Sequence, residues 1–208
     1  MNTLQSYPKE SLRYAFYLLP PIEIAEQITK IHTILNKQFG IKAAGKFQAH
    51  ATIKGFFLMK QNMDPLNLQS QLSEYLKDVP PFNTKFLSKL RIDPIGIGIN
   101  LVSTDTVDQL LNFRNDIVSI IMPFLAPDCD FADEDLGSTF EAHVTLAFRD
   151  IPNELYPAVL SYIDKLLPEP KTSFPAGDFQ LAVFHSSSWD GEWWKDLTWE
   201  RIAHWSLT

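Results

Sequence analysis

Short aromatic-rich runs that stop at proline or glycine predict the strands of this chain. The first run, Tyr14 to Leu19, ends at Pro20-Pro21, and we expect it to form a buried strand. The same criteria predict further strands over 48–58, 82–92, 97–103, 141–149, 179–186 and 197–207. Asp93-Pro94-Ile95-Gly96 and Asp190-Gly191 carry the residues of tight turns, so each predicts a hairpin between its flanking strands.

Apolar positions at helical spacing predict four helices. Over 22–39 the apolar face is formed by Ile24, Ile28, Ile31 and Leu35, with Gly40 as the stop. Asp64 suits the cap of a helix over 64–79, and Pro65 suits its first turn. The remaining two helices are predicted over 106–124 and 152–167.

One order of elements occurs twice: helix, strand, helix, strand pair. This order suggests a duplication, although the residues themselves repeat only faintly. Strands paired by hairpins and mixed with helices favour an α+β fold with antiparallel sheets. No Gly/Ser linker or long block of like charge divides the sequence, so we expect residues 1–208 to form one domain.

Composition and charge narrow the classes of function. The chain has 208 residues, of which 45% are hydrophobic, enough for a substantial core. Its formal net charge is −7, with 18 Lys and Arg against 25 Asp and Glu. Duplex DNA or RNA is therefore disfavoured as a partner, because its binding depends on many contacts from basic side chains to phosphates. A small phosphorylated ligand needs only a few such groups.

The remaining sequence signals concern location and assembly. The lone cysteine, Cys129, cannot form an intramolecular disulfide, which excludes a disulfide-stapled secreted domain. The first 13 residues lack an apolar signal core, and no apolar run approaches the length of a membrane span. We expect a cytoplasmic monomer without membrane contact. The acidic stretch 128–135 lacks the spacing of a calcium loop and is interpreted as a solvated loop.

Two tetrapeptides carry the candidate chemistry. His50-Ala51-Thr52-Ile53 and His143-Val144-Thr145-Leu146 both spell His-x-Thr-apolar, and they occupy corresponding strands of the repeat. Chance would give two such matches among the five histidines in under about 1% of chains of this composition. Side chains at i and i+2 of a strand point to the same face, so each motif presents an imidazole and a hydroxyl together.

Two imidazoles and two hydroxyls around one cleft suit phosphoester cleavage. A neutral histidine takes a proton from the attacking hydroxyl, and a protonated one gives a proton to the leaving oxygen. The threonine hydroxyls can donate to the non-bridging phosphate oxygens. This chemistry requires no metal, and we expect no cofactor. The pattern does not say which histidine is the acid.

At these residues the sequence resembles the 2H phosphoesterase superfamily, which includes the 2′-5′ RNA ligase-like proteins and the RNA 2′,3′-cyclic phosphodiesterases. The segment from Arg13 to Pro21 is similar to the opening strand of that family. The trailing Lys54 and Arg149 are similar to the residues that follow its motifs, whereas Gly55-Phe56-Phe57 stands where relatives often carry proline.

The resemblance implies a bilobal duplicated fold, with two antiparallel sheets flanked by helices around a central cleft. It implies that His50 and His143 are the acid/base pair and that Thr52 and Thr145 hold the phosphate. The expected activity is hydrolysis of 2′,3′-cyclic phosphates of nucleotides or short RNA ends to 2′-phosphomonoesters, and reversible 2′-5′ RNA ligation by the same site is a further expectation. The alternative is a nucleotide-binding module with little or no turnover.

Several other residues have weaker functional interpretations. Lys54 and Arg149 should lie on the motif face if the strands stay regular, where either could contact phosphate. Arg13 and Tyr14 are minor candidates for the site. His185 could approach the cleft, whereas a structural or solvent-facing role is expected for His32.

All five tryptophans fall in the last 20 residues. Core packing around a closing hairpin is the main interpretation of this cluster, and a base-stacking platform is the alternative. An exposed aromatic edge could instead serve a protein partner, but that hypothesis does not explain the paired motifs.

Overall fold

Residues 7–106, 108–127, 140–167 and 173–207 are described by the structure, a computed structural model. The strands within them are β1 (Leu12–Leu19), β2 (Ala51–Phe57), β3 (Phe82–Asp93), β4 (Gly96–Ser103), β5 (His143–Phe148), β6 (Ser173–Ala176), β7 (Asp178–His185) and β8 (Thr198–Ser206). The helices are α1 (Ile22–Phe39), α2 (Pro65–Leu76), α3 (Gln109–Ile121) and α4 (Tyr156–Asp164).

The strands form one sheet in the order β6-β3-β4-β5-β2-β1-β7-β8, and every neighbouring pair is antiparallel. The two predicted sheets correspond to its two halves, each of four strands. They join between β2 and β5 through one register pair, Ala51 with Val144. The α+β class and the antiparallel pairing are thus confirmed, and the two sheets are continuous where the motif strands meet.

The strand pairs that close the two repeats are exchanged between the halves. The hairpin β3–β4 belongs to the first repeat but lies beside β5 of the second. The hairpin β7–β8 belongs to the second repeat but lies beside β1. Each half of the sheet therefore contains strands from both repeats, and this exchange ties the halves to each other.

The two faces of the sheet have different roles. One face packs against all four helices and carries the large core, in which Phe16, Ile53 and Phe179 are fully buried. The other face carries a smaller aromatic cluster around Tyr17, Phe184 and Trp193. Because strand residues alternate between faces, Phe16 and Tyr17 of β1 belong to different clusters.

The helix boundaries follow local rules. α1 begins and ends at the predicted residues, and Gly40 closes it in the left-handed conformation with φ 74°. Asp64 accepts a hydrogen bond from the Leu66 N–H, as expected of its cap position. α3 gives way to a 3-10 turn over Met122–Phe124, where Pro123 has no N–H to donate to the helix.

Two elements show the largest differences from the expectation. The four-residue edge strand β6 was not predicted, because it is short and contains Pro175, which is tolerated only at a sheet edge. The fourth helix begins at Tyr156 rather than near Pro152, because Asn153–Leu155 form a 3-10 turn. Among the described helices, none combines the length and the apolar character that a membrane span requires.

Candidate active site

The two His-x-Thr motifs meet at the centre of the sheet. Ala51 and Val144, the middle residues of the motifs, form the register pair of β2 and β5, and each is about 1% exposed in the helix-covered core. Their neighbours in the chain therefore point to the opposite face. The motif side chains that share this face are His50, Thr52, His143 and Thr145. The antiparallel register puts His50 on the side of Thr145, and Thr52 on the side of His143.

Both motif histidines are held by the same local hydrogen bond. His50 Nδ1 lies 2.6 Å from the Gln48 carbonyl oxygen, and His143 Nδ1 lies 2.9 Å from the Glu141 carbonyl oxygen. A carbonyl oxygen only accepts, so each Nδ1 carries the proton and donates it. In a neutral ring this leaves the Nε2 lone pair free for chemistry.

Burial lowers the pKa of both motif histidines, so each ring stays neutral at a lower pH than a histidine in water. The pKa of His50 is lowered to about 4, mainly by burial, and the neighbouring imidazoles of His143 and His32 act in the same direction. Burial also lowers the pKa of His143, with the Arg91 guanidinium acting in the same direction. The cavity thus favours the uncharged forms of both rings.

Each motif strand carries a bulge at the apolar residue after its threonine. In β2, Thr52 pairs with Tyr17 and Lys54 pairs with Phe16, so Ile53 is the extra residue. In β5, Thr145 pairs with Gly98 and Ala147 pairs with Ile97, which makes Leu146 the extra residue. Bulges reverse the alternation of side chains and recur beside active sites. A second register shift in β2 involves Gly55 and Phe56.

Lys54 does not lie on the motif face, where it was expected, because of the bulge at Ile53. Lys54 is fully buried and does not line the cavity, and its cross-strand partner Phe16 lies on the helix-covered face. Its Nζ lies 5.6 Å from the centroid of the Phe57 ring in the large core. A regular strand would have put Lys54 on the motif face, but the extra residue turned it to the other side.

Arg149 lines the cavity, as expected, but it does so from a left-handed residue after β5 rather than from a regular strand. Its backbone is left-handed, with φ 57°, and its N–H donates to the Ile95 carbonyl at 2.6 Å. The guanidinium carbon lies 5.4–5.6 Å from the ring centroids of Phe148, Trp193 and Trp194. In the described part of the chain, no carboxylate pairs with Arg149.

The motif side chains open into a cavity of about 210 Å³. Phe47, Phe56, Phe148 and Trp193 form an aromatic wall on one side of it. Arg149 and Gln48 add polar groups to the lining. Five of the six predicted site residues thus lie together, and Lys54 does not.

Among the lining residues that the sequence analysis did not predict, two contact the motifs directly. Tyr17 of β1 stacks on His50 with 3.7 Å between ring centroids, which covers one face of that imidazole. His32 of α1 lies 3.1 Å from the Thr145 carbonyl through Nε2, so Nε2 carries a proton and donates it. The expectation of a structural or solvent-facing role for His32 misses this place in the lining. Nothing in the spacing of α1 signals it, because His32 flanks the apolar face.

The minor candidates lie elsewhere. His185 stacks on Tyr7 with centroids 3.6 Å apart, and it does not line the cavity. Arg13 donates to the carbonyls of Glu10 and Leu12 and lies over the Trp189 ring. Tyr14 packs in the large core. The acidic stretch 128–135 and Cys129 lie outside the described residues.

The described residues contain no group of three or more His, Cys, Asp or Glu side chains placed to hold a metal ion. The polar side chains that meet in the cavity include imidazoles, hydroxyls, the Gln48 carboxamide and the Arg149 guanidinium. Such groups bind and protonate phosphate oxygens directly.

Solved structures share this fold over nearly the whole chain. TT0787 of Thermus thermophilus matches with a TM-score of 0.61 and 15% identity, covering 94% of this chain and 97% of that one. E. coli LigT in its apo form matches with a TM-score of 0.53 and 19% identity, covering 94% and 97%. E. coli LigT complexed with 3′-AMP matches with a TM-score of 0.52 and 16% identity, covering 95% and 99%. No curated protein matches the sequence.

The family is given by the sequence match. A model of the 2′-5′ RNA ligase superfamily matches residues 20–187, which include both His-x-Thr motifs and most of the sheet. This chain therefore belongs to the 2′-5′ RNA ligase superfamily, a group of 2H phosphoesterases.

Proposed function

We propose that this protein is a metal-independent phosphodiesterase that hydrolyses 2′,3′-cyclic phosphates of nucleotides or RNA ends to 2′-phosphomonoesters. His50 and His143 act as the acid/base pair, and Thr52 and Thr145 hold the phosphate. The observation that carries the proposal is the paired placement of the two motifs around one cavity, each histidine with Nδ1 on a backbone carbonyl.

The shared hydrogen bond defines what each imidazole can do. With Nδ1 donating to the backbone, Nε2 is a bare acceptor in the neutral ring and a donor in the charged ring. A site with one ring in each state holds a general base and a general acid. The same Nδ1 hydrogen bond on both rings allows either assignment, so the proposal concerns the pair.

The hydrolysis balances with these groups alone. The base takes one proton from water while the water oxygen bonds to phosphorus, and the P–O3′ bond breaks. The acid donates its proton to the departing 3′ oxygen, which leaves a 3′ hydroxyl and a 2′ phosphate. A 5′ hydroxyl in place of water would give a 2′-5′ linkage by the same steps.

The Thr52 and Thr145 hydroxyls supply hydrogen bonds to the non-bridging oxygens as charge builds on them. Arg149 adds positive charge at the rim of the cavity, where it can contact a further phosphate oxygen. E. coli LigT, whose fold this chain shares, has been crystallised with 3′-AMP and with phosphate. Those complexes support a nucleotide or a phosphate as the class of ligand here.

The test is turnover of adenosine 2′,3′-cyclic phosphate and of a short RNA ending in cyclic phosphate, with EDTA present. Wild type, His50→Ala and His143→Ala are compared, and products are resolved as 2′ or 3′ phosphates. We expect 2′ phosphates from wild type and a loss of at least about 10²-fold in each variant. His204→Ala serves as the control, since His204 lies near Asp178 rather than in the cavity.

Activity that survives either substitution would overturn the two-histidine mechanism. Loss of activity on addition of EDTA would overturn its metal independence. Binding of the nucleotide by folded wild type without turnover would favour the alternative, a binding module. Isothermal titration calorimetry on the same preparations separates that outcome from a failure to bind.

A further inference from the structure

A charged side chain from β3 lies on the motif face of the sheet, beside His143. Arg91 of β3 pairs across the ladder with Gly98 of β4, and Gly98 pairs with Thr145 of β5. Directly opposed residues of antiparallel strands share a face, so Arg91 lies on the same side as the motif threonine. Gly98 has no side chain, which leaves room on that face between β3 and His143.

Arg91 uses this room to reach the segment before β5. Its Nη1 lies 2.5 Å from Glu141 Oε2, and its Nε donates to Asp93 Oδ2 at 3.2 Å. The other oxygen of Asp93 accepts from the Ile95 N–H at 3.1 Å, within the turn between β3 and β4. The side chains of Arg91 and Asp93 are each 28% exposed, so this network is partly shielded from water. It connects the β3–β4 turn to Glu141.

Glu141 is the residue whose carbonyl orients His143. That carbonyl accepts the proton of His143 Nδ1 at 2.9 Å. Glu141 precedes the first residue of β5, and backbone outside a strand is less firmly placed than backbone within a ladder. The ion pair with Arg91 therefore restrains the residue on which the direction of the imidazole depends.

The first motif has no equivalent of this ion pair. Gln48 has the same position relative to His50 that Glu141 has relative to His143. An uncharged carboxamide cannot form an ion pair, and His50 is instead covered by the ring of Tyr17 at 3.7 Å. The two imidazoles make the same Nδ1 hydrogen bond but are supported by different neighbours.

The charges beside His143 act on it in opposite directions. The Arg91 guanidinium lowers the pKa of His143, whereas the Asp93 and Glu141 carboxylates raise it. Removing the guanidinium would leave two carboxylates, which stabilise the imidazolium. Removing the charge of Glu141 would have the reverse effect. The other titratable side chains that line the cavity around His143 are Tyr17, His32, His50 and Arg149.

We propose that Arg91 is a positioning residue for His143: its ion pair with Glu141 fixes the carbonyl that binds His143 Nδ1 and so aims Nε2 into the cavity. This inference rests on the proposed phosphodiesterase function and adds to it a residue outside both motifs. Arg91 acts through Glu141. Its contribution is the orientation and the charge balance of one of the two imidazoles.

Four variants test the role of the ion pair. Arg91→Met keeps most of the apolar stem and removes the guanidinium, whereas Arg91→Lys keeps a positive charge. Glu141→Gln gives the second motif the residue that the first motif has, and its side chain is 61% exposed, so this variant guards against misfolding of Arg91→Met. Lys77→Met is the matched control, because it breaks the exposed Lys77–Glu74 ion pair away from the cavity.

Two measurements are made on each variant. We expect kcat/KM for adenosine 2′,3′-cyclic phosphate to fall by about 10-fold in Arg91→Met and Glu141→Gln, because a misaimed imidazole transfers protons poorly. Arg91→Lys should recover part of this loss, and Lys77→Met should match wild type. The pKa of His143 is measured by NMR titration of its ring signal, which is assigned by its loss in His143→Gln. It should rise in Arg91→Met and fall in Glu141→Gln.

Opposite displacements of one pKa are not produced by a general loss of stability. An unchanged pKa of His143 in both variants would overturn the positioning role, whatever happens to activity. Wild-type kcat/KM in Arg91→Met and Glu141→Gln would overturn it as well.

The positioning role can be separated from the proposed function. If folded wild type turns over no cyclic phosphate, the phosphodiesterase proposal fails. The exchange of the His143 Nδ1 proton with water, followed by NMR, then decides the positioning role by itself. The proton should exchange faster in Arg91→Met than in wild type and Lys77→Met, because its carbonyl acceptor is less firmly held. Equal exchange rates in the three proteins would overturn the role of Arg91.

Discussion

Ala51 stands opposite Val144, and this register pair joins the two halves of the sheet at the middle of both motifs. The four motif side chains flank it on the open face, while the pair itself is buried against the helices. The separation of His50 and His143 is therefore set by sheet pairing rather than by loops. Sites on regular elements are held more precisely than sites on loops, and acid/base catalysis depends on such precision.

The first prediction concerns the pH dependence of the reaction. The proposed mechanism needs one neutral and one protonated histidine, and this state is most populated between the two pKa values. The pKa of His50 is about 4 and that of His143 is below its ordinary 6.5. We expect kcat/KM for a cyclic nucleotide to follow a bell with its maximum on the acid side of pH 6.5. A maximum of kcat/KM above pH 7, both in wild type and in the control variant His204→Gln, would contradict the lowered pKa values of His50 and His143.

The second prediction concerns stability against pH. The folded-state pKa of His50 lies below its unfolded value, so the unfolded chain binds more protons between about pH 4 and 6.5. The contribution of neutral, buried His50 to the free energy of unfolding is complete above pH 6.5, and it is lost as the pH falls towards 4. It amounts to at most about 3 kcal/mol for this shift. Urea unfolding of wild type and His50→Gln from pH 4 to 8 measures it, and the variant should show the shallower dependence. Equal slopes would count against the burial of a neutral imidazole.

The third prediction tests the hydroxyls. Thr52→Val and Thr145→Val keep the β-branched shape and remove one hydrogen-bond donor each. If the hydroxyls hold the charge that develops on phosphate, kcat should fall by about 10²-fold in each variant. Thr198→Val is the control, because Thr198 lies on β8 and does not line the cavity. An unchanged kcat in both site variants would remove the threonines from the mechanism.

The fourth prediction comes from the approach of β4 to β5. A Cβ at Gly98 would lie 2.9 Å from the Val144 carbonyl oxygen and 3.4 Å from His143 Cδ2. Gly98→Ala must therefore move the strand or the imidazole, and we expect a loss of activity of about 10-fold or more from the misplaced base or acid. In Gly177→Ala the new Cβ would meet its nearest atom at 3.8 Å, so that variant should keep wild-type activity. Full activity in Gly98→Ala would show that β4 yields without moving His143.

The fifth prediction assigns a positioning role to His32. Its Nε2–H donates to the Thr145 carbonyl, and its ring lies close enough to His50 to affect the pKa of that group. His32→Leu leaves this carbonyl without its donor, whereas His32→Gln can still donate. We expect a fall in kcat with His32→Leu, partial rescue with His32→Gln, and a pH profile displaced in both. A loss of thermal stability with an undisplaced profile would indicate a purely structural histidine.

Local patterns were sufficient for most elements. The spacing of apolar residues in α1, its stop at Gly40 and the cap at Asp64 depend on neighbours in the chain, and the structure has them as predicted. The four motif residues were found for the same reason, since alternation over three positions is a property of a single strand.

Local patterns did not predict the positions of Lys54 and His32, because these depend on contacts with residues remote in sequence. The bulges at Ile53 and Leu146 arise from how each motif strand pairs with its neighbour, and an unpaired strand carries no sign of them beyond the nearby Gly55. Lys54 was therefore assigned to the wrong face. His32 lines the cavity beside β5, where its Nε2 contacts the Thr145 carbonyl, 113 positions further along the chain.

The sequence by itself determined most of the elements, the two motifs and the family, because these depend on short-range patterns and on residue identity. Only the tertiary structure decided that the two sheets are continuous, that each half contains strands of both repeats, and that four aromatic rings gather beside His50. The physical reason is that pairing, bulges and side-chain clusters minimise the free energy of the whole chain, and the partners in them are remote in sequence. The proposed chemistry therefore follows from the sequence, whereas the shape of the cavity depends on contacts that form only in the folded sheet.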